Sequence, residues 1–297
     1  MIFKRLLQYT LALLSTGVMM FSCDKIDEPF TQKIVVDTSS IDTSDIDTSK
    51  FHQKRVLLED YTGHQCVNCP AAAIIAHNIE NTFGDKVVVL AVHAGWFAKA
   101  TAAGDFTADY NTEVGTAWDA YFGISNVGNP FGMVNRINYT TSEHILSPEA
   151  WSSEVFNMLE DTVVTVDLEI TNLYNDETRK LDTEIAVEYL QVPDKDLSLI
   201  VVLKESGIVS PQKNNAPSSG PTPIIYDYVH NNVLRDAING TWGSVISGIN
   251  SVGTVKKSYS YTLKDNFVAD NCTVVAFIYD EETKQVFQVA EKKLVTE

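Results

Sequence analysis

Asp60-Tyr61-Thr62-Gly63-His64-Gln65-Cys66-Val67-Asn68-Cys69-Pro70 is the stretch from which the fold of this chain is read. Ahead of it, Arg55-Val56-Leu57-Leu58-Glu59-Asp60-Tyr61 is a short apolar run of the kind a buried strand makes. Behind it, Pro70 to Ile79 is an alanine-rich helix former that ends near Phe83-Gly84. A Cys-x-x-Cys at the start of a helix sets Cys66 before unpaired N–H groups and the positive end of the helix dipole. A dipole worth about 1–2 kcal/mol lowers a thiol pKa by about one unit, from roughly 8.5 towards 7. Cys66 therefore reads as a nucleophile and Cys69, one turn further in, as the thiol that resolves a mixed disulfide. Pro70 is tolerated because first-turn N–H groups have no intrahelical acceptor.

Two blander readings of the pair stay open. A structural Cys66–Cys69 disulfide closes a short loop, worth only about 2 kcal/mol on the loop-entropy scale. His64-x-Cys66-x-x-Cys69 contains metal-ligand types, but no second ligand pair follows at zinc-like spacing, so neither a metal nor a cofactor is expected.

Working outward, Lys86 to His93 is a second buried strand and residues 94–106 form an inserted loop. Residues 107–122 are expected as a helix closing at Gly123, Phe131 to Ile137 as a third strand, and Pro148 to Leu159 as a helix capped by Ser147. This alternation predicts an α/β domain over 51–160. Beyond Glu160 the period becomes two, in runs starting at Val164, Leu181, Leu197, Val255, Cys272 and Val286. Such runs predict an antiparallel β-sandwich over 161–297 and are too few for a transmembrane barrel. Between them, 206–223 is a proline-rich excursion, and Tyr226 to Arg235 is read as a return strand or short helix. His93 is expected as a hydrogen-bonded core histidine, and Cys272, in phase with Val274 and Ala276, as an inert core thiol. His64 is a loop residue placed to tune Cys66, and Trp96 in the insertion is a candidate hydrophobic lip for substrate.

The N-terminus gives the compartment. Lys4 and Arg5, an interrupted apolar run to Met20, and Met20-Phe21-Ser22-Cys23 read as a lipoprotein signal over 1–22 with Cys23 taking the lipid. Residues 24–50, with Asp37-Thr38-Ser39 echoed at 42–44 and 47–49, form a tether with almost nothing to bury. As a coil it spans roughly 30 Å. The full chain carries a formal charge of −17, and loss of Lys4 and Arg5 with the signal makes it −19. That field repels phosphate backbones and excludes nucleic acid as an expected partner.

The strand, Cys-x-x-Cys and helix together resemble the thioredoxin superfamily. That resemblance implies a proton-relay role for Asp60, six residues before the first cysteine. It also implies a cis-proline facing the dithiol, for which Pro130 in Gly128-Asn129-Pro130-Phe131 is the match. Backbone groups of Asn129 would then pair with an extended substrate. The chain lacks the Trp and Gly-Pro that surround the pair in ordinary thioredoxins. More narrowly, residues 58–70, Val92-His93-Ala94-Gly95 and Tyr228-Val229-His230-Asn231-Asn232-Val233-Leu234-Arg235 resemble a family of envelope lipoproteins from Gram-negative gut and oral bacteria, named for a twenty-eight-kilodalton outer membrane protein. That resemblance implies a thioredoxin-like domain followed by an immunoglobulin-like β-domain, and residence in the outer membrane. The expected function is thiol–disulfide exchange with envelope or secreted proteins. The alternative is a binding or adhesion lipoprotein that uses the first domain as a scaffold.

Overall fold

The computed structural model describes residues 52–295. The signal segment, Cys23 and the tether lie outside the described residues. Strand β1 (Val56–Thr62) leads through the cysteine loop into helix α1 (Cys69–Phe83), which stops where Gly84 takes φ 59°. Strand β2 (Val87–His93) returns parallel to β1, with Val56 opposite Val87 and Thr62 opposite His93. The helix expected from residue 107 begins only at Glu113, as α2 (Glu113–Phe122). Thr112 is its cap, its Oγ1 accepting from the Gly115 N–H at 2.9 Å. Residues 107–112 stay irregular, and this lets Tyr110 turn inward, where it is buried.

Strand β3 (Phe131–Val134) runs antiparallel to β1 and follows a cis Asn129–Pro130 peptide. It ends short of Ile137 because Asn135 and Arg136 adopt φ 47° and 53°, which no strand sustains. Helix α3 (Pro148–Glu160) follows; Ser147 precedes it as expected, but its side chain makes no capping hydrogen bond.

The six period-two runs all form strands: β4 (Val166–Asn175), β5 (Lys180–Tyr189), β6 (Leu197–Glu205), then, after several short strands, β13 (Gly253–Thr262), β14 (Cys272–Asp280) and β15 (Val286–Lys293). The short ones are β7 (Ile208–Val209), β8 (Gln212–Lys213), β9 (Ile224–Ile225), β10 (Val229–His230), β11 (Val233–Ala237) and β12 (Ser244–Ile246).

The fold is mixed α+β, and the expected boundary at 160/161 does not divide its sheets. The main sheet runs β15-β14-β6-β11-β2-β1-β3, with β12 added on β6, so strands from both halves of the chain share one ladder. The joint is β11, parallel to β2 on one side and antiparallel to β6 on the other. A continuous core lines one face, from Leu57, Val88 and Trp118 across to Val202 and Phe277. On the other face, α1 and α3 cover Val56, Leu58 and Val89 at one end. At the other end, the separate sheet β13-β5-β4 packs on Leu199, Val201 and Val274, giving the sandwich layer that the alternation implied. Strand β6 is buried along its whole length because Ile200 and Val202 are apolar as well as Leu199 and Val201. A two-sheet sandwich standing alone would leave those even positions in water. Cys272 is free and fully buried in this layer, and burial pushes its thiol up to about 12.

Candidate functional site

Strand pairing brings the candidate residues to one end of the main sheet. Thr62 and His93 end the parallel strands β1 and β2, while Phe131, opposite Tyr61, begins β3 directly after Pro130. The cysteine loop leaves from this end. Cys66 and Cys69 are joined by a disulfide with a Cα separation of 5.4 Å. Helix α1 begins at Cys69, and its N-cap, Asn68, makes no side-chain capping bond; Pro70 carries no N–H and the Ala71 N–H donates to Asn68 O at 3.2 Å, so the Cys69 N–H is the first-turn donor left beside the sulfurs.

Neither sulfur is open to solvent, since Cys66 and Cys69 are each only 2 % exposed. Two segments cover the loop. From the insertion, Phe97 O accepts from the Gln65 N–H at 2.9 Å. A Cβ on Gly63 would come within 2.4 Å of the Phe97 carbonyl carbon, so only glycine permits this approach. From the proline-rich excursion, the Lys213 N–H donates to His64 O at 2.9 Å and the Asn215 N–H to Val67 O at 3.1 Å. Gln212 Nε2 donates to Cys66 O at 2.8 Å, and Asn215 Nδ2 to Asn68 Oδ1 at 2.8 Å. The excursion is thus a strap tied across the disulfide. Its proline content marked it in the sequence as irregular; what it covers was not marked there, because these contacts join residues about 147 positions apart.

Behind the disulfide lies a cavity of about 220 Å³, lined by Asp60, Cys69, His93, Tyr228, His230 and Asn232 among others. Cys66 is not among the lining residues. Asp60 is buried, its Oδ1 has no hydrogen-bond partner, and desolvation raises its carboxyl from 3.8 to about 7. His93, expected as a hydrogen-bonded core residue, is buried with neither ring nitrogen partnered, and burial holds its pKa well below the ordinary value. His230 is lowered to about 4 by the same cause, and Ser210 Oγ lies 3.0 Å from its Nε2. The two imidazoles meet edge to face at 5.6 Å, with Tyr110 at 5.1 Å from each ring.

The remaining candidates scatter around this centre. His64 is buried, stacked on Phe106 at 5.6 Å, with its ring nitrogens unpartnered and its pKa lowered by desolvation. Trp96 is 72 % exposed, with Lys99 Nζ 5.2 Å from its ring, on the insertion that holds Gln65. Asn129 Nδ2 is buried and unpartnered. His230 and Tyr228 join the site; the sequence reading takes Tyr226 to Arg235 as a return strand or short helix, with a ligand surface as the alternative, and does not place it beside the cysteines. Among the described residues no cluster of His, Cys, Asp and Glu has the geometry to hold a metal ion.

Solved structures resemble this chain, and those with a TM-score of 0.50 or more share its fold. HBP35 of Porphyromonas gingivalis superposes with a TM-score of 0.59 at 17% identity, over 82% of this chain and 76% of that one. A structural-genomics protein of Agrobacterium tumefaciens reaches a TM-score of 0.50 at 13% identity, over 83% and 97%. A domain of the outer membrane lipoprotein Omp28 of Porphyromonas gingivalis matches at 23% identity over 44% and 89%, with a TM-score of 0.31. No curated protein sequence matches. Among the described residues no helix is long and apolar enough to cross a membrane. The family model for outer membrane protein Omp28 matches residues 115–297, more than half of the sequence, so this chain belongs to the Omp28 family of outer membrane proteins.

Proposed function

We propose that this protein is a thiol–disulfide oxidoreductase, held on the outer membrane by a lipid at Cys23 and acting on envelope or secreted proteins. Residues 51–160 serve as its thioredoxin-like unit, and the β-rich remainder, which we read as immunoglobulin-like, completes its sheet. The observation that carries this reading is that Asp60 and Cys69 line one cavity, with Asp60 Oδ1 buried and unpartnered and the carboxyl raised to about 7. A carboxyl tuned to neutral pH beside a thiol can take its proton and return it, which an ordinary carboxylate does poorly. In the reduced protein Cys66, ahead of the uncapped helix, attacks a substrate disulfide as thiolate. Asp60 takes the proton of Cys69, and Cys69 then attacks Cys66 Sγ, releasing reduced substrate and restoring the Cys66–Cys69 bond.

Insulin reduction by the full-length protein tests this. Wild type should turn over, Cys66→Ser should lose all activity, and Asp60→Asn should slow the step about 10²-fold, within the range for general acid–base catalysis. Equal rates for wild type and Cys66→Ser would refute the enzyme reading. A second reading, a binding or adhesion lipoprotein with a structural disulfide, draws support from the burial of both sulfurs beneath the strap. It requires the disulfide to resist dithiothreitol in the folded protein.

A further inference from the structure

The wall of the cavity includes Cys69 and not Cys66, and Gln212 of the strap stands between the two, lining the cavity while it holds the Cys66 carbonyl. Resting on the oxidoreductase reading, we propose that the cavity is the access route of the site's reductant, a small cationic aminothiol that exchanges with the disulfide at Cys69. Protein substrates meet the pair at Cys66.

Three observations carry this. The first is access. Gln212 closes over the Cys66 carbonyl and Lys213 and Asn215 tie the flanking backbone, whereas Cys69 contributes to the cavity wall. The second is size. A cavity of about 220 Å³ is below the usual range for drug-sized ligands. That volume suits a molecule the size of cysteamine or cysteine.

The third is charge. The wall carries the carboxyl groups of Asp60 and Glu80 and no lysine or arginine; its histidines His93 and His230 are kept neutral by burial, and the third, His77, stands at the exposed rim 3.8 Å from Glu80. The nearby Lys204 ammonium is tied to Val89 O and Glu291. Asp60 Oδ1 and both His93 ring nitrogens are buried without partners on this wall, the polar lining an ammonium ligand would satisfy.

The chemistry balances. One aminothiol gives its proton to Asp60 and its thiolate attacks Cys69 Sγ. The new sulfur–sulfur bond forms as the Cys66–Cys69 bond breaks, and Cys66 leaves as thiolate ahead of the helix N-terminus, where it takes the proton. A second aminothiol attacks the mixed disulfide, releasing the oxidised aminothiol dimer and leaving Cys69 as thiol. Two thiols are oxidised and one disulfide is reduced.

The test is capture of a symmetrical disulfide by variants of the full-length protein that keep one cysteine of the pair, Cys66→Ala and Cys69→Ala, with mass spectrometry distinguishing an adduct there from one on Cys23 or Cys272. Cystamine serves as the cationic probe, hydroxyethyl disulfide as the neutral one and dithiodipropionate as the anionic one. Cys69 in the Cys66→Ala variant should take cystamine at least about tenfold faster than dithiodipropionate. Asp60→Asn and Glu80→Gln together should abolish that preference. Reduced wild type, run with the same three probes, covers the case in which either variant folds poorly. Capture on Cys66 alone, or on Cys69 without charge preference, overturns the inference and leaves the oxidoreductase reading standing. Capture on neither cysteine overturns both.

Discussion

Burial raises the Asp60 carboxyl from 3.8 to about 7, while the unfolded chain keeps it near its ordinary value. Between those two values the unfolded state has released a proton that the native state retains. Stability therefore falls as pH rises through this window and levels off above about 7. Three pH units correspond to about 4 kcal/mol. His64, His93 and His230 slope the other way. Their depressed pKa values leave stability intact above about 6.5 and remove it as pH falls, because the unfolded chain is protonated first. The two trends overlap, so the difference between wild type and Asp60→Asn isolates the carboxyl. In urea unfolding, Asp60→Asn should be more stable than wild type by about 3–4 kcal/mol at pH 8, with the gap closing towards pH 4. A gap independent of pH would show that Asp60 does not titrate as described. The neighbouring residue makes the opposite case. Glu59 and Arg136 are completely buried and joined by two hydrogen bonds of 2.8 Å, with the guanidinium 4.6 Å from the Trp118 ring and 4.9 Å from that of Phe277. Glu59→Gln leaves that cation uncompensated and should cost about 3–5 kcal/mol in the same assay. A loss under 1 kcal/mol would mean that the aromatic rings alone satisfy Arg136.

The strap, a stretch of short strands and turns, holds the cysteine loop through backbone and amide hydrogen bonds rather than through packing. Gln212→Ala removes the donor to Cys66 O and leaves that carbonyl buried, a change worth about 1–3 kcal/mol. Because the strap is what covers the sulfur, iodoacetamide should alkylate reduced Cys66 in Gln212→Ala about tenfold faster than in wild type, the equivalent of about 1.4 kcal/mol of opening. An unchanged rate would assign the shielding to the insertion around Phe97 instead. Elements with a strong local signature were legible from sequence. The apolar runs at β1 and β2, the alanine-rich α1 and the six alternating strands all stand where their periodicity puts them. The helix start at Glu113 was not, because Thr112 caps a segment whose preceding residues are also compatible with helix. The strap and the lining of the cavity were illegible for a different reason. Their contacts are long-range and polar, and no local pattern records which loop a glutamine or histidine will meet. The sequence singled out Asp60, Cys66, Cys69 and His64, which share one local motif, but it left His93 to the core as a hydrogen-bonded histidine, where burial without partners now sets it apart, and it did not bring His230 to the cysteines.

At the scale of the molecule, β11 decides whether this is two domains or one. It lies between β2, from the first half of the chain, and β6, from the second, and Leu234 packs in the core shared by Leu57, Trp118 and Phe277. Residues 51–160 alone would present β2 as an open sheet edge and expose the face that Ile200, Val202 and Phe277 cover. Asn135 adds a second tie, since its side-chain oxygen accepts from the Leu57 N–H and its carbonyl from the Val286 N–H. The chain from residue 52 onward is accordingly one compact unit. Two consequences are measurable. Calorimetry of the full-length protein should give one transition whose van't Hoff and calorimetric enthalpies agree. A fragment of residues 51–160 should fail to unfold cooperatively and should bind a hydrophobic dye, because the surface it loses is apolar and continuous. Two separable transitions, or a fragment that melts cooperatively, would mean that β11 merely abuts β2. In that case the cysteine pair would belong to a unit that can work without the β-rich half. If the single transition is found, the β-rich half is part of the candidate site itself, since it supplies both the strap over Cys66 and the Tyr228–His230 wall beside Cys69.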